Sequence, residues 1–119
     1  MKISEAAAAC GLSADTIRFY ERSGMLPEIA RGPDGHRRFS ARDVEWMILF
    51  YWLRATGMPL KEMKRFAELA KAGDAGMAER RRILTNHREE LKRRRALLDR
   101  CEEALAVKIA SYGAAEPTP

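Results

Sequence analysis

The sequence predicts an all-α fold with one small β hairpin, a group of short helices followed by one long helix. Three observations predict it. Residues 2–22 hold two short helical patterns separated by a break at Gly11-Leu12. Arg31-Gly-Pro-Asp-Gly-His-Arg-Arg38 has a Pro-Asp-Gly turn between two arginine-bearing arms, which is a hairpin signal. From Met77 to Tyr112 there is neither proline nor glycine, and Leu84, Leu91, Leu98, Leu105 and Tyr112 recur every seven residues.

The elements follow in order. Ile3, Ala6 and Ala7 set helical spacing for a first helix near Ser4–Cys10. Ser13 is the expected N-cap of a second, running to Arg22, because its short hydroxyl can satisfy a free amide there. Gly24 and Pro27 end that helix and lead into the hairpin. Ser40-Ala-Arg-Asp43 reads as a capping-box start for a third helix near Ala41–Thr56. Its centre, Trp46-Met-Ile-Leu-Phe-Tyr-Trp-Leu53, is apolar nearly all round, so a partner subunit or a ligand is expected to cover part of it. Gly57-Met58-Pro59 restarts the chain, with Pro59 suited to the first turn of a fourth helix near Pro59–Ala70. That helix is expected to bury Leu60, Met63, Ala67 and Ala70, and residues 72–76 read as a loop. The heptad run then predicts a coiled-coil seam. His87, Arg94, Cys101 and Lys108 at its second core position keep the seam narrow, suited to a two-helix contact. A helix of that length needs a partner for its stripe, so homodimerisation is expected. Residues 113–119 are expected to be a disordered tail.

Composition excludes several classes. The 119 residues carry 22 Lys/Arg against 17 Asp/Glu, a formal charge of +5 that favours anionic partners. The local excess is sharper: Arg31 to Arg42 holds four arginines and one acid. Cys10 and Cys101 are too far apart in sequence for a paired-cysteine metal motif, and they make no disulfide framework. No leader or long apolar span is read, so the cytoplasm is the expected compartment. No nucleophile–base pair, carboxylate pair or ligand cluster points to an enzyme, a metal or a cofactor.

Two helices joined through a glycine turn form a minimal helix-turn-helix, whose second helix can enter a major groove. With a basic wing beside it, the unit is a device for holding double-stranded DNA. Arg18 can fork onto a guanine or a phosphate, and the Tyr20 hydroxyl can reach a phosphate. The alternative is a surface arginine and a core tyrosine. Ser13 and Thr16 open the same helix and can touch bases or phosphates, although Ser13 can equally serve only as a cap. Asp15 either accepts from a cytosine amine or stabilises the helix N-terminus. Arg31, His36, Arg37 and Arg38 cluster on the wing. Lys61 and Lys64 can approach phosphates from the fourth helix, or be ordinary surface lysines.

These blocks resemble the MerR family of bacterial transcriptional regulators. The matching residues are Ile3-Ser4-Glu5-Ala6-Ala7, Gly11-Leu12-Ser13, Thr16-Ile17-Arg18-Phe19-Tyr20-Glu21, Gly24-Met25-Leu26, Arg31, Gly35-His36-Arg37, Phe39-Ser40, Asp43-Val44, Leu53-Arg54, Gly57-Met58-Pro59-Leu60 and Ile83-Leu84. The resemblance covers most of the chain and is nearest the short members that respond to aldehydes or nitrosative stress. It implies a winged helix-turn-helix DNA-binding domain at 1–76 and a long antiparallel coiled-coil dimerisation helix at 77–112. It also implies a near-palindromic site between two promoter elements spaced too far apart for RNA polymerase, with the dimer distorting that spacer. By the same resemblance Arg37 and His36 hold the DNA backbone or minor groove. Phe19 stands where the family commonly has tyrosine and is expected in the core. Trp46, Tyr51 and Trp52 are either an effector-binding cluster for a small molecule or plain core and dimer packing. Trp52 stands where the stress-responsive relatives carry a reactive cysteine. Met77-Ala78 and Tyr112-Gly113 stand where metal-sensing relatives carry thiolates. A ligand-independent architectural DNA-binding protein is the alternative function.

Overall fold

The computed structural model describes residues 1–113. The tail expected at 113–119 lies outside them except for Gly113, whose N–H closes the last helical turn on the Ile109 carbonyl. The chain divides into two units, Met1–Ile83 and Leu84–Pro119. Its elements run α1 (Ile3–Cys10), α2 (Ala14–Arg22), β1 (Ala30–Arg31), β2 (Arg37–Arg38), α3 (Ala41–Ala55), α4 (Leu60–Lys71), a 3-10 turn (Gly73–Gly76) and α5 (Met77–Tyr112).

Local chemistry sets the boundaries in the first unit. Gly11 takes φ 81° and donates to Ala7, which stops α1 in a left-handed cap that only glycine adopts cheaply. Ser13 Oγ accepts from the Thr16 amide at 3.1 Å and starts α2. Ser40 and Asp43 cap α3 reciprocally, at 3.1 Å and 2.8 Å. Pro59 lies one position outside α4, at its N-cap, because its ψ of 144° is extended.

α1 packs on α2 and α3, and α3 on α4. Phe50 sits at the centre of the resulting core, fully buried. Its ring lies 6.1 Å from Tyr20, 5.0 Å from Trp46 and 6.1 Å from Phe66. Ile17, Met25, Met47, Met58 and Met63 close around this cluster.

Four expectations are corrected here. Residues 73–76 are a 3-10 turn rather than a loop, closed by the Met77 N–H on the Asp74 carbonyl, and a Cβ at Gly76 would strike the Leu69 carbonyl. α4 buries Phe66 with Met63 and Ala67, because the Phe66 ring packs on Trp46 and Phe50, while Leu60 and Ala70, nearer the helix ends, stay half-buried. Tyr20 is only 3 % exposed, so its hydroxyl is not a surface phosphate ligand, and burial pushes its pKa up. Phe19, expected in the core, is 39 % exposed. The last two share one cause: Ile17 and Tyr20 form the inward stripe of α2, which turns Phe19 outward.

In the second unit α5 carries surface ion pairs between Lys92 and Glu89, Arg93 and Glu90, and Arg94 and Glu90. Such exposed pairs are screened by solvent and give the helix only slight local support. Leu98, Leu105 and Tyr112 of the heptad stripe are exposed, with Leu91 half-buried. Cys101 is exposed in this helix, whereas Cys10 is buried in the first unit.

Candidate nucleic-acid interface

The outward face of α2 carries Asp15, Arg18, Phe19 and Arg22, all exposed. Their spacing of three, four and seven places them on one side of a helix. Arg18 Nη1 donates to Asp15 Oδ1 at 3.0 Å, which holds the guanidinium along that face. Ser13 is committed to the cap, and its hydroxyl also donates to Thr16 Oγ1 at 2.9 Å. Thr16 is half-buried.

The wing is an antiparallel pair with Ala30 opposite Arg38 and Arg31 opposite Arg37. Gly35 takes φ 80° at the tip. Asp34 organises the turn. Its Oδ1 accepts from the His36 amide at 3.1 Å, and its Oδ2 from Arg38 at 3.4 Å. The His36 amide bond is the main cause of a depressed Asp34 pKa. The folded pKa lies below the unfolded one, so this contribution is present at neutral pH and is lost as pH falls through the depressed value. Arg31 Nη1 donates to the Gly35 carbonyl at 2.8 Å across the base of the turn.

One ion pair joins wing to helix. Arg37 Nε donates to Glu21 Oε1 at 2.5 Å, both side chains partly buried. The bond takes Nε and leaves the Nη side of the fork for another anion. Beside it, a cleft of about 290 Å³ is lined by Lys2, Ile3, Ser4, Arg18, His36 and Arg37. The start of α1, the middle of α2 and the wing therefore place three cations and a histidine around one opening. Such a cleft suits phosphate.

Other expected residues lie elsewhere. Lys61 and Lys64 line a separate groove on α4 together with Glu62 and Glu68. Trp46, Tyr51 and Trp52 do not form one cluster. Trp46 donates its indole N–H to the Met25 carbonyl at 2.9 Å and lines a cavity of about 690 Å³ with Leu26, Ile29, Arg31 and Lys71. Tyr51 and Trp52 pair edge-to-face at 5.0 Å, and Trp52 is 59 % exposed. Five or six positions along α3 turn these rings away from the Trp46 side. Among the described residues no group of three or more His, Cys, Asp or Glu side chains could hold a metal ion. Sequence reasoning missed Lys2, Arg22 and the exposure of Phe19. The last two were detectable as the complement of the Ile17–Tyr20 stripe. Lys2 reaches the cleft only through the tertiary fold.

Comparison with known proteins bears on the same region. Residues 1–69 match the MerR HTH family regulatory protein model, and residues 52–107 match a model described as MerR, DNA binding. An HTH-type transcriptional regulator of Haemophilus influenzae is 40% identical over 109 residues, covering 92% of this chain and 81% of the relative. A crystal structure of HiNmlR, described as a MerR family regulator lacking the sensor domain and bound to promoter DNA, superposes with a TM-score of 0.85 at 39% identity, covering 94% of this chain and 89% of that one. A MerR family transcriptional regulator from Listeria monocytogenes superposes at 0.86 with 33% identity, covering 97% and 87%.

Proposed function

We propose that this chain, which belongs to the MerR family of HTH regulatory proteins, is a DNA-binding transcriptional regulator that acts as a homodimer on a near-palindromic promoter site. The convergence of Lys2, Arg18, His36 and Arg37 on one cleft beside the outward face of α2 carries this reading. The exposed stripe of Leu98, Leu105 and Tyr112 supports the dimer, since so much apolar surface on one helix calls for a partner. A dimer holds two reading units at a set separation, and a change in that separation is felt as DNA deformation. We place its work on the spacer between two promoter elements, where it brings both within reach of RNA polymerase. The cytoplasm is its compartment in this reading, and among the described residues no helix is long and apolar enough to cross a membrane. A small-molecule effector would meet the dimer through Tyr51 and Trp52, with Trp46 on a separate cavity.

The proposal assigns different work to different residues. Arg37→Ala should weaken binding alike on all duplexes and lower the slope of log affinity against log salt by about one, as expected for one phosphate contact. Arg18→Ala should cost about 1–3 kcal/mol at particular base pairs only. Titration of cognate and random duplexes over a salt series separates them, and equal losses on both duplexes for Arg18→Ala would move Arg18 to the backbone class. The function as a whole is tested by mapping bound sites across the genome. They should lie between promoter elements with an over-long spacer. Sites scattered without regard to promoters would favour the architectural reading instead.

A further inference from the structure

We propose that the cavity between the end of α2, β1 and α4 binds a small monocarboxylate with a flat apolar body, and that this ligand weakens the hold on DNA. The cavity lies wholly within the first unit and measures about 690 Å³, an ordinary size for a small-molecule site. Its floor is apolar. Leu26, Ile29 and Ala67 are buried there, and Trp46 adds its indole. The indole N–H is already spent on the Met25 carbonyl, so the ring offers the cavity only carbon. The rim is charged. Glu21 is offset by Arg37, which pairs with it. Arg31 and Lys71 then stand against Glu28 alone, so the rim keeps a positive excess. Among the described residues Lys71 and Glu28 form no ion pair. The Lys71 ammonium lies at the end of α2, its Nζ 3.3 Å from where a Cβ on Gly24 would stand. Arg31 is steadied through Nη1 by the Gly35 carbonyl and keeps the other side of its fork. An apolar floor rimmed by two cations matches a carboxylate carried on a flat ring. The coupling rests on the reading of the wing as a DNA contact. Arg31 belongs to β1, and Glu21 holds Arg37 of β2. A carboxylate on Arg31 cancels a wing charge that otherwise attracts phosphate. By linkage, DNA weakens the ligand by the same factor.

Calorimetric titration of the full chain with naphthylacetate, naphthylacetamide and naphthylethylamine varies only the head group. The acid is expected to bind with Kd below about 1 mM. The amide should bind about tenfold more weakly, for want of a charge-assisted contact, and the amine not at all. Lys71→Gln should bring the acid down to the level of the amide and leave the amide unchanged. Ala70→Phe, which puts a ring into the cavity, should abolish binding of both, with thermal melting to confirm that the unit is folded. Saturating acid should weaken binding several-fold to a duplex selected by the full chain from a random-sequence pool, and the amine should leave it unchanged. Absence of binding by the acid, an amide or amine that binds as tightly, or an acid whose affinity survives Lys71→Gln or a folded Ala70→Phe overturns the site. Duplex affinity indifferent to saturating acid overturns the coupling. A chain that selects no duplex overturns the DNA-binding reading instead, since the titration contains no DNA.

Discussion

Replacing Leu91 and Leu98 together by Asp is expected to leave the protein monomeric. Each leucine buried in a dimer seam contributes about 1.5–3 kcal/mol, and two from each copy sum to about 6–12 kcal/mol. A nanomolar dimer is held by about 12 kcal/mol, so the loss is comparable with the whole association energy. Burying four carboxylates against one another adds to it. Sedimentation equilibrium should show one species of monomer mass, and affinity for the promoter site should fall with it. Circular dichroism should still report the helices of the first unit, since neither leucine belongs to it. Val107 is exposed on the opposite side of α5 from Leu105 and is the control. Val107→Asp should leave the dimer intact. A Leu91→Asp, Leu98→Asp protein that still sediments as a dimer would rule out the heptad stripe as the interface.

Phe50→Ala is expected to cost the first unit about 3–5 kcal/mol, a large part of the stability of a domain this size. The side chain is fully buried and touches the rings of Tyr20 on α2, Trp46 one turn back on α3 and Phe66 on α4. Truncation leaves a cavity that those rings cannot fill without abandoning other contacts. Trp46 is tied to the Met25 carbonyl and Tyr20 belongs to the inward stripe of α2. The melting temperature should drop by more than about 10 °C at the usual enthalpy of a small domain. DNA binding should fail through loss of the folded unit, and return at low temperature. A loss below about 1 kcal/mol would mean that the aromatic cluster repacks freely and is not the keystone of this core.

Much of the geometry of the candidate interface was legible before the fold. The hairpin appears where Pro33-Asp34-Gly35 places it, and its arginines and His36 flank the turn as expected. Arg18 is exposed on α2, beside the wing. Its Asp15 partner, three residues back, is a contact that sequence spacing alone makes available. The Glu21–Arg37 pair, sixteen residues apart, is not of that kind. Nor is the entry of Lys2 into the same cleft. Both require α1, α2 and the hairpin to be folded against one another.

By itself the sequence determined where elements begin and end. Gly11, Ser13, the Ser40–Asp43 box and Gly57 act through bonds spanning a few residues, and the seven-residue repeat marks its own face of α5. The tertiary structure alone decided which side of each helix is covered. Phe19 and Tyr20 are neighbours of similar size, and only packing against Phe50 turns Tyr20 inward and Phe19 outward. Trp46 and Trp52 share α3, yet one ring stacks in the core and the other stands in solvent. Gly76 reads as a loop residue until Leu69 is folded back against it. The physical reason is range. Caps and periodicity act within a turn or two of chain, whereas burial depends on surfaces brought in from distant segments.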